Sequence, residues 1–283
     1  MTIWDALIQG IVQGLTEFLP VSSSGHLSLV QHFTGFSAEM GLMFTILLHC
    51  GTLAAVFIAF WRQIWGLVAE FGLAVADIFR GKFSFKNMQP RRRMLVMVIV
   101  SLLPLLPAYL VSGYYEALSC DGDIFVEGIC FLITAALLFF ADKAPAGKKT
   151  AGEMKYSDAL IVGATQAFLA PLPGVSRSGS TISGALFSGL DKSAAADFSF
   201  LMSIPAILGS VVLEGKDAIE AGTIGVPIWS LLVGMLAAGV TGYFAVKFMI
   251  KLIKHKKLYG FAIYTAALGV VILVDQCFTH LVF

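Results

Sequence analysis

QGLTEFLPVSSSGHL, residues Gln13 to Leu27, interrupts an apolar stretch that runs from Ile3 to Phe36. A second apolar stretch, Ala159 to Leu190, is interrupted in the same way by PLPGVSRSGST. A helix needs about 20 apolar residues to cross a bilayer, and neither half of either stretch spans comfortably. Irregular backbone at membrane depth is tolerated only inside protein or beside a watery cavity. Both stretches are therefore predicted to form re-entrant helix–loop–helix hairpins.

The overall composition is that of a chain whose solvent is lipid. Of the 283 residues, 58% are hydrophobic and 13% are charged, and the mean hydropathy is +0.85. A soluble domain has about 25% charged residues, so this chain lacks the polar surface that water would require. The net charge is +1 and the basic residues form short clusters, which argues against a nucleic-acid partner.

Six other segments are apolar enough to span a membrane. They are Gly41–Trp61, Met94–Gly113, Ile124–Ala141, Phe198–Leu213, Pro227–Ile250 and Leu258–Val274. The second segment contains Pro104 and Pro107, so a kink is expected there. The predicted fold is an all-α polytopic membrane protein with six transmembrane helices and two re-entrant hairpins.

The positions of the basic residues predict the orientation. With both hairpins re-entrant, 17 of the 19 Lys and Arg residues fall on one side, which the positive-inside rule makes cytoplasmic. Both termini then face outward, and the first hairpin enters from the outside. If each hairpin instead formed two full spans, every loop would lie on the same side of the membrane as in the re-entrant arrangement. The distribution of basic residues therefore does not distinguish the two arrangements.

The two hairpins are also related in sequence. Ala6–Pro20 and Ala159–Pro173 are identical at seven of fifteen positions, and VSSSG in the first matches VSRSG in the second with one mismatch. A hairpin and three spans in each half would give the halves opposite orientations. We expect one membrane domain, 1–283, with inverted-repeat halves at about 1–141 and 157–283. Such repeats bring their broken helices together near the midplane and place the site there.

The first break combines hydroxyl groups with a histidine and a carboxylate. Ser22, Ser23, Ser24 and His26 start a predicted helix, and Glu17 lies just before them. One serine would suffice to cap the helix. Three hydroxyls beside a histidine and a carboxylate point to a nucleophile with acid–base partners. The other four histidines, His49 among them, are expected to be structural or interfacial.

The second break is typical of an anion-binding loop. Arg177 lies among small and hydroxyl residues in GVSRSGST, and a helix is predicted to follow. Backbone N–H groups at a helix start favour phosphate, and arginine adds a bidentate fork. The structural alternative is that Arg177 neutralises Glu17 across the interface between the repeats.

QGLTEFLPVSSSGHL together with PGVSRSGSTISG resembles the signature pair of the undecaprenyl-diphosphate phosphatases, also called bacitracin-resistance proteins. DFSFLMSIPAILGS also resembles the family pattern, and the likeness covers nearly the whole chain. The family pattern has Glu or Gln at the position of Gln13. This chain has Gln, whose amide would bind a metal cation less tightly than a carboxylate would.

The resemblance implies hydrolysis of undecaprenyl diphosphate to undecaprenyl phosphate and phosphate, helped by Mg²⁺ or Ca²⁺. This reaction would recycle the lipid carrier for peptidoglycan synthesis and confer bacitracin resistance. The implied location is the bacterial inner (cytoplasmic) membrane, with an active site that opens to the outer face. The expected partners are the polyprenyl diphosphate, membrane lipid and a second copy of the chain in a homodimer, with no nucleic acid.

These expectations give each site residue a role. Ser23 is the first choice of nucleophile and Ser22 the second, while His26 and Glu17 act as acid–base groups. Gln13 and Glu17 are expected to hold the cation, and Arg177 to act on the phosphate. The residues expected to bind the substrate phosphate are Ser22, Ser24, Gly25, Ser176, Arg177, Ser178, Gly179 and Thr181. A phosphoserine intermediate and direct attack by water both stay open.

A transporter or flippase of a lipid-linked or anionic substrate is the alternative, because inverted repeats with broken helices are also a transporter design. The run of serines, His26 and Glu17 separates the two hypotheses. A carrier needs an anion-binding loop but has no use for a nucleophile with acid–base partners.

Overall fold

The computed structural model describes residues 1–34, 42–86, 88–110, 113, 115, 124–145, 147–220, 226–255 and 258–280, and the chain in these ranges is mainly helical. The helices of the first half are α1 Ile3–Phe18, α2 Ser23–Thr34, α3 Leu42–Ala59, α4 Trp61–Phe79, α5 Pro90–Leu102 and α6 Leu105–Tyr109. Those that follow are α7 Phe125–Lys143, α8 Tyr156–Phe168, α9 Arg177–Phe187, α10 Lys192–Glu220, α11 Ile228–His255 and α12 Tyr259–Val274.

Within the described ranges, five helical segments are long and apolar enough to cross a membrane: Pro90–Tyr109, Phe125–Lys143, Lys192–Leu213, Ile228–Ile253 and Tyr259–Thr279. A sixth is formed by Met43–Ala59 with Trp61–Phe79, a pair bent by 87°. Each of the six predicted spans overlaps one of these segments, although Gly41 and residues 111–112 lie outside the described ranges. The first predicted span, Gly41–Trp61, corresponds only to the first helix of the bent pair, and the second helix of that pair, α4, was not predicted as part of a span. An all-α, multi-pass membrane protein is therefore confirmed.

Two other spans differ from the prediction, one in where it begins and one in being interrupted. The fourth begins at Lys192, earlier than the predicted Phe198. The second is interrupted between Leu102 and Leu105, where Pro104 lies, and continues as the short α6. Because proline has no N–H to donate to the preceding turn, the helix is interrupted where the kink was predicted.

The two broken stretches form pairs of short helices whose tips meet. The pairs are α1 with α2, of 16 and 12 residues, and α8 with α9, of 13 and 11 residues. The Ser178 hydroxyl donates to the Leu19 carbonyl at 3.0 Å, and the Gly174 N–H donates to Ser24 Oγ at 3.3 Å. Every one of these helices is shorter than a bilayer requires. Their re-entrant placement stays a prediction.

The first helix of each hairpin packs against the second span of the opposite half. Gly10 of α1 lies against the backbone of Gly234 in α11, and Gly163 of α8 lies against the backbone of Ser101 in α5. Gly10 and Gly163 are equivalent positions of the sequence repeat, and both contacts are too close for a side chain. This reciprocal packing is consistent with inverted repeats, although the division at about 1–141 and 157–283 stays a prediction.

The end of α1 is anchored in the main apolar core. Phe18 is 1% exposed, and its ring meets that of Phe200 on α10 edge-on, with the ring centroids 6.0 Å apart. Phe60, which follows α3, packs on the same Phe200 ring at 5.8 Å. Burial of these aromatic side chains fixes the position of the preceding residue, Glu17.

Candidate active site

Both hairpins start their second helix with a serine cap. Ser22 Oγ accepts the N–H of Gly25 at 3.2 Å, and Ser176 Oγ accepts the N–H of Gly179 at 3.0 Å. Each bond satisfies a donor that the first turn of a helix would otherwise leave unpaired. Ser22 has a φ of 73°, in the left-handed region that a non-glycine residue adopts at a cost of roughly 1–2 kcal/mol. The chain is therefore held in a tight turn immediately before Ser23.

The carboxylate of Glu17 joins the two hairpins. Its Oε1 accepts a hydrogen bond from Arg177 Nη2 at 2.5 Å. Its Oε2 accepts from the Ser23 hydroxyl at 2.6 Å and from Gln13 Nε2 at 2.8 Å. Glu17 is 5% exposed, so this charge is compensated by protein groups where water has little access.

A cavity of about 510 Å³ opens beside this carboxylate. Its polar lining consists of Glu17, Ser23, Ser24, His49, Tyr115, Gln166, Arg177 and Ser210. Its apolar lining consists of Leu105, Ala170, Pro171, Val175, Ala206 and Ile207. Residues from both hairpins and from α3, α6 and α10 thus share one cavity, which is polar in one part and apolar in another.

The ion pair between Glu17 and Arg177 is the structural alternative raised by the sequence, and it is present. Arg177 nevertheless keeps 19% of its side chain exposed and lines the cavity. The same guanidinium can therefore contact both the carboxylate and an anion in the cavity, because it has donors on more than one edge.

His26 is held by other groups. Its Nδ1 lies 2.6 Å from the Ser22 carbonyl oxygen, and its Nε2 lies 2.8 Å from the hydroxyl of Tyr264 on α12. The imidazole stacks on the Tyr264 ring with centroids 5.7 Å apart. His26 is not part of the cavity lining within the described residues. It braces the turn before Ser23, and the predicted acid–base role stays a prediction.

Most of the residues predicted to bind phosphate build the loops. The N–H groups of Gly25 and Gly179 are engaged by the serine caps. Ser178 bonds to the first hairpin, as described above, and Thr181 Oγ1 lies 2.6 Å from Ser199 Oγ on α10. Of the predicted set, Ser24 and Arg177 line the cavity. Direct contacts with phosphate stay predictions for the whole set.

The structure adds His49 and Gln166 to the residues at the cavity. His49 Nδ1 lies 3.0 Å from the Thr45 carbonyl, and its Nε2 lies 3.9 Å from Glu17 Oε2. No motif in the sequence surrounds His49, and it had been expected to be structural or interfacial. Gln166 did carry a signal, because it is identical to Gln13 in the aligned repeat.

The oxygen atoms near Glu17 include one that lacks a partner. Gln13 Oε1 is buried and accepts no hydrogen bond from the described part of the chain. Within the same ranges, no three His, Cys, Asp or Glu side chains come together as a metal-binding cluster. The donor set consists of one carboxylate and an amide oxygen, which are ligands suited to a hard cation.

Comparison with known proteins agrees with the motifs. The family described as Bacitracin resistance protein BacA matches residues 6–271. The undecaprenyl-diphosphatase of Alkaliphilus metalliredigens is 42% identical over 275 residues, which are 96% of this chain and 98% of the relative. The undecaprenyl-diphosphatase of Carboxydothermus hydrogenoformans is 41% identical and that of Methanosphaera stadtmanae 39%, over 98% and 97% of this chain and 98% of each relative.

Proposed function

The chain belongs to the bacitracin resistance protein BacA family, and we propose that it is an enzyme that hydrolyses undecaprenyl diphosphate to undecaprenyl phosphate and phosphate. The observation that carries this proposal is the arrangement around Glu17. A serine hydroxyl and an arginine guanidinium bind opposite oxygens of one carboxylate beside a partly apolar cavity. That arrangement offers a nucleophile, a proton acceptor and an anion-binding group to a lipid headgroup.

In the proposed reaction Ser23 Oγ attacks the terminal phosphorus. Its proton passes to Glu17 Oε2, which already accepts it in a hydrogen bond of 2.6 Å. The new Ser–O–P bond forms as the bond from phosphorus to the bridging oxygen breaks, and the electron pair leaves with undecaprenyl phosphate. Arg177 stabilises the charge on the transferred phosphoryl group. Water then hydrolyses the phosphoserine and releases phosphate.

Direct attack by water is the second route that this geometry allows. Glu17 would then accept the proton of water in place of the Ser23 proton, and Ser23 would orient the water or the phosphate. The two routes differ in whether Ser23 becomes covalently modified.

We include a divalent cation, Mg²⁺ or Ca²⁺, in the proposal because the donor set fits one. Glu17 and the unpartnered Gln13 Oε1 would hold it. Mg²⁺ in particular is commonly bound by one or two carboxylates together with substrate phosphates and water. When bound, the cation would neutralise part of the diphosphate charge.

The surroundings of the cavity suit a lipid substrate at the outer face of a bacterial inner membrane. Leu105, Ala206 and Ile207 offer apolar contacts to the first isoprene units. The positive-inside rule supports an orientation in which the first hairpin enters from the side opposite the basic loops. A homodimer stays a prediction. A transporter is not favoured, because the matched relatives are named as phosphatases and a carrier has no need of the Ser23–Glu17 pair.

The proposal is tested with purified protein in detergent and undecaprenyl diphosphate as the substrate. We expect stoichiometric release of phosphate and undecaprenyl phosphate, and loss of both products with Ser23→Ala prepared in parallel. Wild-type protein that binds the lipid and releases no phosphate, with or without Mg²⁺ and Ca²⁺, would reject the proposed function.

A further inference from the structure

Gln166 is a buried amide without a hydrogen-bond partner in the described part of the chain. Its side chain is 3% exposed, and both Nε2 and Oε1 lack a partner. Buried polar groups are nearly always paired, because burial without a hydrogen bond removes the contacts that water would have made. An amide left unpaired on both sides therefore calls for an explanation, such as a ligand that completes its hydrogen bonds.

The position of Gln166 shows where such a ligand would lie. Gln166 is near the end of α8 and lines the cavity that also contains Ser23 and Arg177. Gln9 and Ser183 also have a buried polar atom without a partner among the described residues, but neither lines this cavity. Gln166 thus combines an unpaired amide with access to the proposed substrate.

The repeat explains why this amide is unpaired. Gln166 is equivalent to Gln13, whose Nε2 donates to the carboxylate of Glu17, four residues further along α1. The residue four positions after Gln166 is Ala170, which has no acceptor in its side chain. In the second hairpin the amide therefore lacks the internal anion that its counterpart binds. An anion from outside the chain can take that place.

We propose that the amide of Gln166 donates to the lipid-side phosphate of the diphosphate, the phosphate that leaves with the prenyl chain. This inference rests on the proposed function, which places the attacked phosphate between Ser23 and Arg177. The second phosphate is one bridging oxygen away, and a cavity of about 510 Å³ has room for both. Leu105 and Ala170 lie in the same lining and suit the first carbons of the chain. Gln166 is then the residue that makes the site selective for a diphosphate over a monophosphate.

The test compares two soluble competitors of prenyl diphosphate hydrolysis. Methylenediphosphonate carries two phosphoryl groups joined by carbon and cannot be hydrolysed at the bridge, whereas inorganic phosphate carries one. Gln166→Leu should weaken inhibition by methylenediphosphonate by about tenfold, the effect of losing one hydrogen bond to a charged group. Inhibition by inorganic phosphate should not change. The melting temperature should stay the same or rise, because the variant replaces an unpaired amide with an apolar side chain of similar size.

Two further variants make the result decisive. Ser183→Ala removes another buried, unpartnered polar atom outside the cavity lining, and it should alter neither inhibition constant. Gln166→Glu keeps the shape of the side chain and adds a negative charge, so it should weaken inhibition by methylenediphosphonate more than Gln166→Leu does. This variant tests the position even if the leucine variant fails to fold.

If Gln166→Leu weakened inhibition by both competitors equally, the inference would be overturned, because Gln166 would then lie at the attacked phosphate or have a purely structural role. No change in either constant would overturn it as well. Failure of the proposed function is seen separately, as wild-type protein that hydrolyses no prenyl diphosphate. In that case the binding of the two competitors, measured by thermal shift, still shows whether Gln166 recognises a second phosphoryl group.

Discussion

Ser23 and Arg177 occupy equivalent positions of the two hairpins and contact opposite oxygens of the same carboxylate. Each immediately follows the serine that caps its helix, and the two contacts with Glu17 are 2.6 and 2.5 Å long. One repeat position has therefore given rise to two chemically different groups, a hydroxyl in one half and a guanidinium in the other. Because Glu17 lies between them, a phosphate bound by Arg177 is brought close to the Ser23 hydroxyl.

Arg177→Lys is expected to lower turnover at least tenfold. Lysine keeps the positive charge but cannot contact Glu17 and a phosphate oxygen through one planar fork. The measurement is kcat and KM for phosphate release. Arg93→Lys is the matched control, because Arg93 donates to the Met154 carbonyl away from the cavity and should leave turnover near normal. Near-normal turnover in Arg177→Lys would identify Arg177 as a counter-ion only.

The three serines of the first break are expected to respond differently to alanine. Ser23→Ala should abolish turnover and leave the melting temperature nearly unchanged, because its hydroxyl contacts Glu17 in the cavity. Ser22→Ala should cost about 1 kcal/mol of stability through the loss of the helix cap. Ser24→Ala should lower turnover less than Ser23→Ala does. Expression, melting temperature and turnover are measured on all three.

Acid quenching of the wild type and turnover of the same serine variants together decide between the two chemical routes. A phosphorylated Ser23 trapped by acid quenching and found by mass spectrometry would establish the covalent route. Equal and mild losses of turnover in the three variants would show that no serine attacks phosphorus and that Glu17 activates water. If the variants lost folding and activity together, the serines would act only as helix caps.

Gln13→Glu is expected to shift the cation requirement to lower concentrations. A carboxylate at this position would be a stronger ligand for a hard cation than the amide oxygen. Without cation the two carboxylates would repel each other, so the melting temperature of the variant should rise more steeply with added Ca²⁺ or Mg²⁺ than that of the wild type. Both melting temperature and turnover are followed during chelation and readdition. Full wild-type activity in excess EDTA would remove the cation from the proposal.

Gly14→Ala is expected to destabilise the protein by about 1–3 kcal/mol through overpacking. A methyl group there would collide with the side chain of Thr241 and the carbonyl of Ala238 on α11. Gly72→Ala in α4 is the control, because a methyl group at Gly72 meets no atom within 4 Å. That substitution should stabilise the helix by about 0.5–1 kcal/mol. Unfolding in detergent is monitored for both, and equal melting temperatures would contradict the close packing of α1 on α11.

The main features of the fold could be predicted from local sequence. Long apolar segments and the two Pro/Ser/Gly breaks gave the six spans and the two pairs of short helices, because insertion into lipid depends on composition over about 20 residues. The break at Pro104 followed from the missing N–H of proline. The repeat also predicted that the two tips would meet, and the contact between Glu17 and Arg177 shows that they do.

The sequence by itself thus determined the class of fold, the motifs and the family, whereas the tertiary structure decided which side chains reach the cavity. His49 lies in α3 with Thr45 and Thr52 at helical spacing, but this polar stripe does not show which other helix it meets. His26 belongs to the first motif, yet its ring turns toward Tyr264, 238 residues away in the sequence. Such contacts arise when helices distant in sequence pack together, and no local pattern encodes which of several polar side chains will be nearest to the substrate.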